Sequence, residues 1–239
     1  EVLNMREKAV EEAAHLTRLK NQFINTASHQ LKTPMSSIDL NLGLLEALSG
    51  KLNDPSLRKI TNRLTKESNR LSKLMEDTLQ ISRINTDSFV PSNTKVDLIE
   101  AIQSQIDLFL DTNSYMSREV VLENNIKGST VISTDERLFE HVIHNVLSNS
   151  LKYSDERVRV ICEKENSKFV ISISDRGIGI PEQDLVSVKD EFFRASNSRG
   201  YEGTGLGLYL VQMIIQKLGG QFDIESQENV GTTITLKLS

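Results

Sequence analysis

The sequence predicts two domains of different fold class: an all-α helical hairpin that forms a four-helix bundle as a homodimer, then an α+β sandwich. Two observations predict this division. Over the first 85 or so residues, apolar residues recur at spacings of three and four, and there are only two glycines and two prolines. Beyond about residue 95, short β-like runs alternate with helical patterns, as in one mixed sheet with helices on one face.

Composition excludes several other classes of protein. A net charge of −5 and the lack of a long Lys/Arg block disfavour nucleic acid as a partner. Cys162 is the only cysteine, which excludes an internal disulfide or a Cys-based zinc site and fits a reducing compartment. No apolar run reaches the roughly 20 residues that cross a bilayer. We therefore expect a cytoplasmic, soluble portion of a longer protein, without direct membrane contact.

The first half is predicted to contain two long helices. The apolar stripe of the first helix consists of Ile24, Ala27, Leu31, Met35, Ile38, Leu42 and Leu45. The segment "LSGKLNDPS" then breaks the pattern, because Gly50 can end one helix while Asp54 caps the next with Pro55 in its first turn. The second stripe consists of Leu57, Ile60, Leu64, Leu71, Leu74, Met75 and Ile81. Stripes this wide leave apolar surface uncovered on one hairpin, which predicts pairing with a second copy.

The boundaries follow from changes in composition. Residues 1–20 continue the first helix upstream with many charges and a thinner stripe, as a helical signalling linker would. The hairpin domain is placed at 21–88, and the segment around "TDSFVPSNTK" links it to a second domain at 93–239.

The elements of the second domain are predicted in order from their periodicity. A helix begins at about Val96, in "VDLIEAIQSQIDLFL", and two more lie in "ERLFEHVIHNVLSNSLKYS" and "LGLYLVQMIIQKLG". The β-like runs are "VVLE", "TVIST", "RVRVICEK", "KFVISISD" and "TTITLKL".

Nine of the twelve glycines lie between Gly177 and Gly231. Glycines let the backbone approach a ligand closely, and N–H groups at a helix start favour an anion such as phosphate. Ordinary turns are the alternative. Neither common phosphate loop fits, because no Gly-Lys-Ser/Thr occurs and Leu208 stands where a dinucleotide fingerprint needs a small residue.

Polar residues on one predicted helix strengthen the nucleotide interpretation. Asn145, Asn149, Lys152 and Tyr153 are spaced so that they share a face. An amide oxygen can ligate a Mg²⁺ ion that bridges phosphates, and a lysine can neutralise phosphate charge. Asp175 ends a β run just before a glycine turn, where its carboxylate could accept a hydrogen bond from the amine of adenine. The alternative is a solvated helix face.

Six ordered motifs resemble those of the sensor histidine kinases of two-component systems. The motifs are "ASHQLKTP", "HNVLSNSLKYS", "SDRGIGIP", "EFFRAS", "GTGLGLYLV" and "GTTITLKL", similar to the H, N, G1, F and G2 boxes and the closing strand. The resemblance extends from about Lys20 to Ser239. It implies a HisKA-type dimerisation and histidine phosphotransfer domain, followed by a catalytic domain of the Bergerat-type ATP-binding fold that gyrase, heat-shock chaperone and mismatch-repair ATPases share.

The resemblance also implies roles for individual residues, with ATP and Mg²⁺ as cofactors. Asn149 is similar to the Mg²⁺ ligand, Lys152 and Tyr153 to nucleotide contacts, and Asp175 to the adenine reader. The implied glycine positions are Gly177 and Gly179 in the pocket wall, and Gly203, Gly205 and Gly207 in the hinge and phosphate-facing turn.

Residues 182–202 resemble the mobile lid over the nucleotide. Within it, Phe192 and Phe193 would be apolar anchors, or alternatively plain core, and Arg194 would contact the γ-phosphate. The ATPase relatives carry a glutamate that activates water at the position of Asn145. Because an amide is not a base at neutral pH, we expect slow hydrolysis.

His29 is the predicted phosphoacceptor. It lies two residues from both Ala27 and Leu31, about 200° around the helix, and so points away from the apolar seam. Neutral imidazole is a nucleophile near pH 7. His15, His141 and His144 lack this context and are interpreted as structural. Pro34 is expected to bend the helix one turn beyond His29.

Gln30 departs from the family pattern, which has Glu or Asp beside the histidine. A glutamine can orient the imidazole N–H but cannot accept its proton, so autophosphorylation could be slow. Thr33 lies on the same face as His29 and matches the position from which the family positions water for dephosphorylation, although a plain surface threonine is an equal alternative.

The sequence therefore predicts ATP-dependent phosphorylation of His29 and relay to an aspartate of a response regulator. Two alternatives remain open. One is a kinase-impaired sensor dimer that acts as a regulator-binding module or phosphatase, and the other is a free-standing ATPase, against which Asn145 argues.

Overall fold

A computed structural model describes residues 31–32, 34–48, 50, 55–86, 89–111 and 118–239. The chain divides into two compact units, Glu1–Phe89 and Val90–Ser239. The predicted catalytic residues His29, Gln30 and Thr33 lie outside the described residues, as do the predicted linker 1–20 and the start of the first apolar stripe.

The described part of the first unit is a helical hairpin. Helix α1 comprises helical residues 31–32, 34–48 and 50, and α2 is Pro55–Ile84. Ser68 donates a hydrogen bond to the Asp39 carboxylate over 2.5 Å, and Thr65 donates one to Glu46 over 3.1 Å. These pairs run in opposite directions along the two helices, so α1 and α2 are antiparallel. Gly50 is helical and its backbone φ is not left-handed; because residues 51–54 lie outside the described residues, its role in ending α1 stays a prediction.

The hairpin buries polar residues and exposes leucines. Within α2, Thr61, Ser68 and Asp77 are almost fully buried. The exposed large apolar residues of the two helices are Leu31, Ile38, Leu40, Leu44, Leu45, Leu48, Ile60, Leu64 and Leu71. Of the predicted stripe residues that the structure describes, half are exposed in a single chain, whereas Leu42 and Ile81 are buried.

The second unit contains a five-stranded mixed sheet in the order β2-β4-β5-β7-β6. Its strands are β2 Val120–Asn124, β4 Val158–Glu165, β5 Lys168–Asp175, β6 Gln221–Gln227 and β7 Gly231–Leu238. Strands β2 and β4 pair in parallel, and every other pair in this sheet is antiparallel. A separate antiparallel pair is formed by β1 Thr94–Asp97 and β3 Val131–Thr134.

The described residues of this unit also form three α-helices: α3 Leu98–Leu110, α4 Glu136–Tyr153 and α5 Gly207–Lys217. Apolar side chains alternate along β5, where Phe169, Ile171 and Ile173 are buried, while Ser172 and Ser174 face the hydroxyls of β7 on the other side. The core between helices and sheet is filled chiefly by Phe139, Ile143, Leu147, Leu151, Leu206, Leu210 and Ile214. This core holds α4 and the start of α5 in place.

The start of α3 differs from the prediction. The helix begins at Leu98 because the Asp97 carboxylate accepts hydrogen bonds from the N–H groups of Ile99 and Glu100, at 2.9 and 3.2 Å. Val96, where the predicted helix began, instead pairs with Ile132 in the small sheet. The single predicted sheet is therefore two sheets, with "TVIST" in the smaller one.

Strand β6 was not predicted. Its residues Phe222 and Ile224 alternate with polar residues, which is the ordinary strand pattern, but the run contains only these two apolar residues and lies directly after the glycines that follow α5.

Candidate functional site

The polar face of α4 forms one wall of the candidate site. Asn145 is only 3% exposed, and its Nδ2 donates to the carbonyl oxygen of His141 over 2.9 Å. One turn later, Lys152 Nζ lies 3.5 Å from Asn149 Oδ1 and 4.2 Å from the centroid of the Tyr153 ring. The four predicted residues of this helix thus share one face.

The loop before α5 packs directly against this face. A Cβ atom on Gly203 would lie 3.3 Å from Lys152 Nζ. A Cβ atom on Gly207 would lie 3.1 Å from Asn145 Oδ1 and 3.9 Å from Asn149 Nδ2. The glycines therefore let the loop backbone approach the amide and ammonium groups of α4 more closely than side chains would permit.

The N terminus of α5 opens into the same region. Gly207 is the first residue of the helix, and no side chain caps it at Leu206. The first N–H groups of a helix lack intrahelical partners and attract anions. Leu208 lies half-buried in this first turn. The predicted phosphate-facing turn therefore leads directly into a helix start without a side-chain cap.

Asp175 is held at the end of β5 by the backbone on both sides of it. Its Oδ1 accepts hydrogen bonds from the N–H groups of Gly177 at 2.9 Å and Thr232 at 3.3 Å. Burial raises the pKa of the Asp175 carboxyl above its ordinary value, although these bonds and one from the Ser150 side chain act in the opposite direction. A carboxyl fixed in this way presents its second oxygen in a defined direction.

The glycine turn after Asp175 touches the end of α4. The Ile178 N–H donates to the carbonyl oxygen of Tyr153 over 3.1 Å, and a Cβ atom on Gly177 would lie 2.2 Å from that oxygen. Gly179 has a φ of +61° and no space for a side chain, because its Cβ would lie 2.0 Å from the Gln227 carbonyl oxygen. Both predicted glycine positions are therefore required by close backbone contact.

The segment predicted as a lid, 182–202, contains two short 3₁₀ turns, Glu182–Asp184 and Ser196–Ser198. The Asp184 carboxylate joins them by accepting hydrogen bonds from the N–H and hydroxyl of Ser196, each at 2.7 Å. These bonds lower the pKa of Asp184. The lid thus has internal order of its own.

Arg194 is bound to the lid backbone. Its Nη2 donates to the carbonyl oxygens of Ser198 at 3.1 Å and Tyr201 at 2.6 Å. Contact with a γ-phosphate stays a prediction; both of these bonds use Nη2, and a guanidinium has further N–H donors on Nη1 and Nε. Phe192 is 55% exposed with a φ of +64°, so the plain-core alternative is wrong for it, while Phe193 is half-buried.

Tyr201 is a site residue that the sequence reasoning missed. Its ring lies 5.0 Å from that of Tyr153, tilted by 55°. Burial raises the pKa of the Tyr153 phenol, whereas the nearby Arg194 guanidinium lowers it. The available signal was an aromatic residue in the otherwise polar segment "SRGYEGTG".

Other titratable groups of the described residues offer no competing centre. Among them, no three His, Cys, Asp or Glu residues are grouped so that they could hold a metal ion. Cys162 is buried, and burial raises the pKa of its thiol to about 11. His144 stacks on Phe109 with ring centroids 4.7 Å apart, as expected for a structural residue. No helix in the described ranges is both long and apolar enough to span a membrane.

Comparison with known proteins matches both halves of the chain. Residues 19–87 match the His Kinase A (phospho-acceptor) domain family, and residues 134–239 match the family described as histidine kinase-, DNA gyrase B- and HSP90-like ATPase. The signal transduction histidine-protein kinase ArlS of Staphylococcus aureus is 31% identical over 222 residues, which cover 91% of this chain and 48% of ArlS. The chain therefore spans about half the length of the curated relatives it matches.

Solved structures show the same fold. ShkA, crystallised at full length in complex with AMPPNP, has a TM-score of 0.73 at 19% identity, covering 91% of this chain and 45% of that one. The mycobacterial sensor histidine kinase MprB has a TM-score of 0.52 at 26% identity, covering 61% of this chain and 96% of that one. With a helical phosphoacceptor region followed by the ATPase fold, and with both family matches in that order, this chain belongs to the sensor histidine kinases.

Proposed function

We propose that this chain binds Mg²⁺-ATP in its second unit, transfers the γ-phosphoryl group to His29, and passes it to an aspartate of a response regulator. The observation that carries the proposal is the packing of the 203–207 loop against the polar face of α4. Amides, an ammonium group and an uncapped helix start meet there within a few ångströms, which is the chemistry that holds a triphosphate.

The base and the phosphates would be bound at opposite ends of this site. Asp175, fixed by Gly177 and Thr232, would accept a hydrogen bond from the exocyclic amine of adenine. Lys152 would neutralise phosphate charge, and the N–H groups at the start of α5 would receive phosphate oxygens.

Asn149 would hold the Mg²⁺ ion. Its half-buried amide oxygen is a hard donor on the wall that faces the glycine loop. One protein oxygen suffices, because Mg²⁺ usually keeps several waters and takes further ligands from phosphates. The bound ion would neutralise charge that develops on the transferred phosphoryl group.

Asn145 favours transfer to a protein nucleophile over hydrolysis. It is buried and already donates to a backbone carbonyl, and an amide cannot activate water as a general base. The γ-phosphoryl group would then remain available for the imidazole of His29, which is mostly neutral near pH 7 because its unperturbed pKa is roughly 6.5.

We also propose that the first unit forms a homodimer. Its uncovered leucines on both helices, together with the buried polar contacts inside the hairpin, support a four-helix bundle whose apolar interior is supplied by two copies. The proposed boundaries are a signalling linker at 1–20, the dimerisation domain at 21–88 and the catalytic domain at 93–239.

A second candidate is a kinase-impaired dimer that mainly binds or dephosphorylates its regulator. Gln30 favours it, because general-base assistance is typically worth roughly 10² to 10⁴-fold and glutamine does not supply it. In that case Thr33 would position the water for dephosphorylation.

Labelling with γ-³²P-ATP and Mg²⁺ tests these candidates. If the chain is a kinase, the wild type should carry acid-labile, base-stable label and His29→Gln should carry none. The variant Asn149→Asp tests the proposed metal site in the same assay. ATP binding without label would favour the impaired sensor, and release of inorganic phosphate without labelled protein would identify a free-standing ATPase.

A further inference from the structure

A single side chain fastens the second 3₁₀ turn of the lid to the glycine turn after Asp175. Asn197 Nδ2 donates to the carbonyl oxygens of Gly179 at 3.0 Å and Ile178 at 3.3 Å. The Ile178 oxygen also accepts the Asn229 N–H at 2.8 Å. We call this pair of bonds from Asn197 the lid clasp.

The orientation of the Asn197 amide follows from its partners. Only the NH₂ group can face two carbonyl oxygens, since the amide oxygen would meet acceptors alone. The opposite atom, Oδ1, is buried and has no hydrogen-bond partner among the described residues. The clasp therefore depends on a donor at this position.

The clasp joins two parts of the unit that carry different residues of the candidate site. The glycine turn is fixed from several sides, because Gly177 N–H donates to Asp175, and Ile180 N–H donates to the Ser226 hydroxyl over 2.9 Å. The lid carries Arg194, whose guanidinium is bound to the carbonyl of Ser198, the residue directly after Asn197. Asn197 thus links the part of the lid that contains Arg194 to the glycine turn that binds the Asp175 carboxylate.

The clasp is suited to open and close. Two neutral hydrogen bonds stabilise it, and the buried acceptor without a partner offsets only part of this stabilisation. When the lid opens, Oδ1 gains water and this cost is removed. The closed and open states are therefore close in free energy, as exchange of ATP for ADP requires.

We propose that Asn197 is a positioning residue for nucleotide binding, which couples closure of the lid to the turn that reads the base. This inference rests on the proposed ATP binding by this unit. Because the two bonds of the clasp join the lid to the turn through its backbone carbonyls, their loss should speed nucleotide dissociation and leave association nearly unchanged.

The experiment measures dissociation of a fluorescent ATP analogue by stopped flow for the wild type, Asn197→Ala and Asn197→Asp. We expect about fivefold faster dissociation for Asn197→Ala, because the two bonds stabilise the closed lid by more than the unpaired Oδ1 destabilises it. Asn197→Asp should be faster still at pH 8, because a carboxylate faces two carbonyl oxygens. The increase in the dissociation rate of Asn197→Asp over the wild type should become smaller as the pH falls to 5.5, where a protonated carboxyl can donate a hydrogen bond. The increase for Asn197→Ala should not change with pH.

Two matched variants separate the clasp from general loosening. Ser196→Ala, in the same 3₁₀ turn, removes the hydroxyl bond to Asp184 but leaves the clasp intact. Asn125→Ala removes an exposed amide bonded to Glu163 elsewhere in the unit. Hydrogen exchange of residues 177–181, measured without nucleotide, should rise in both Asn197 variants and in neither control.

The inference is overturned if Asn197→Ala dissociates at the wild-type rate, or if Ser196→Ala loosens residues 177–181 as much. Should the wild type bind no analogue, the proposed ATP binding is wrong, and the exchange measurement alone still decides whether Asn197 holds the turn. As a control for folding, hydrogen exchange of peptides from the buried part of α4 should be unchanged in each variant.

Discussion

Two glycines of the second unit share a backbone conformation but have different surroundings. Gly205 has a φ of +77° and Gly219 a φ of +72°. A Cβ atom on Gly205 would lie 2.7 Å from the Phe192 carbonyl carbon and 2.8 Å from the carbonyl oxygens of Phe192 and Phe193, whereas nothing lies within 4 Å of one on Gly219. Substituting each by alanine therefore separates backbone strain from contact with the lid.

The expected magnitudes follow from these distances. Alanine in the left-handed region costs roughly 1–2 kcal/mol, so Gly219→Ala should lower the Tm by about 2–8 °C for a unit of this size. Gly205→Ala carries the same strain, and the lid backbone must also retreat by about 0.7 Å to restore ordinary contact. A displacement of about 1 Å in a positioning element can cost roughly 10²-fold in rate.

We therefore expect both variants to fold with lowered Tm, and only Gly205→Ala to lose autophosphorylation, by roughly 10- to 100-fold. Thermal unfolding followed by circular dichroism measures the first effect, and single-turnover labelling with saturating ATP measures the second. The reasoning is refuted if Gly219→Ala loses as much activity as Gly205→Ala, or if Gly205→Ala labels at the wild-type rate.

Four further predictions concern stability, ligand, assembly and rate. Asp97→Ala should lower the free energy of unfolding by about 1 kcal/mol at pH 7. The Thr130 hydroxyl and the capped N–H groups hold the pKa of Asp97 below its ordinary value despite burial. This stabilisation should therefore be present above about pH 4 and disappear as the pH falls through the lowered pKa. If urea unfolding gives the same difference in stability between wild type and Asp97→Ala at pH 7 and pH 3, this prediction is contradicted. Asp175→Asn should abolish nucleotide binding in calorimetry without lowering the Tm at pH 7.5. The Tm should hold because burial raises the pKa of this carboxyl, so its charged form destabilises the fold as the pH rises. A large decrease in Tm would show a structural role instead. Leu64→Asp should convert dimers to monomers in sedimentation experiments, since it places a charge on the uncovered apolar face, and an unchanged dimer would exclude this face from the interface. Gln30→Glu should speed single-turnover autophosphorylation by up to roughly 10²-fold, and an unchanged rate would remove position 30 from the proton path.

The parts of the fold that depend on local pattern could be predicted from the sequence. The two-domain division and the long helices follow from a period that persists over many residues. Strand β1 was missed because it is short and is defined by pairing with the distant strand β3, where Thr94 pairs with Thr134 and Asp97 with Val131. Strand β6 was missed because it contains only two apolar residues, Phe222 and Ile224. The start of α3 was placed two residues early, because an aspartate cap outweighs the apolar pattern before it.

In the candidate site, too, the sequence indicates which positions need a glycine, but not which distant residues those glycines contact. The need for glycine at 203, 205 and 207 is visible in the sequence, since such spacing has no role in a regular helix or strand. What each glycine faces is not visible: respectively the ammonium of Lys152, the lid backbone at Phe192, and the amide of Asn145. Two of these partners lie on α4 and the third lies in the lid. Substitutions at the three glycines should therefore affect nucleotide binding in different ways. The loop thus lies between the polar face of α4 and the lid segment 182–202, and contacts both.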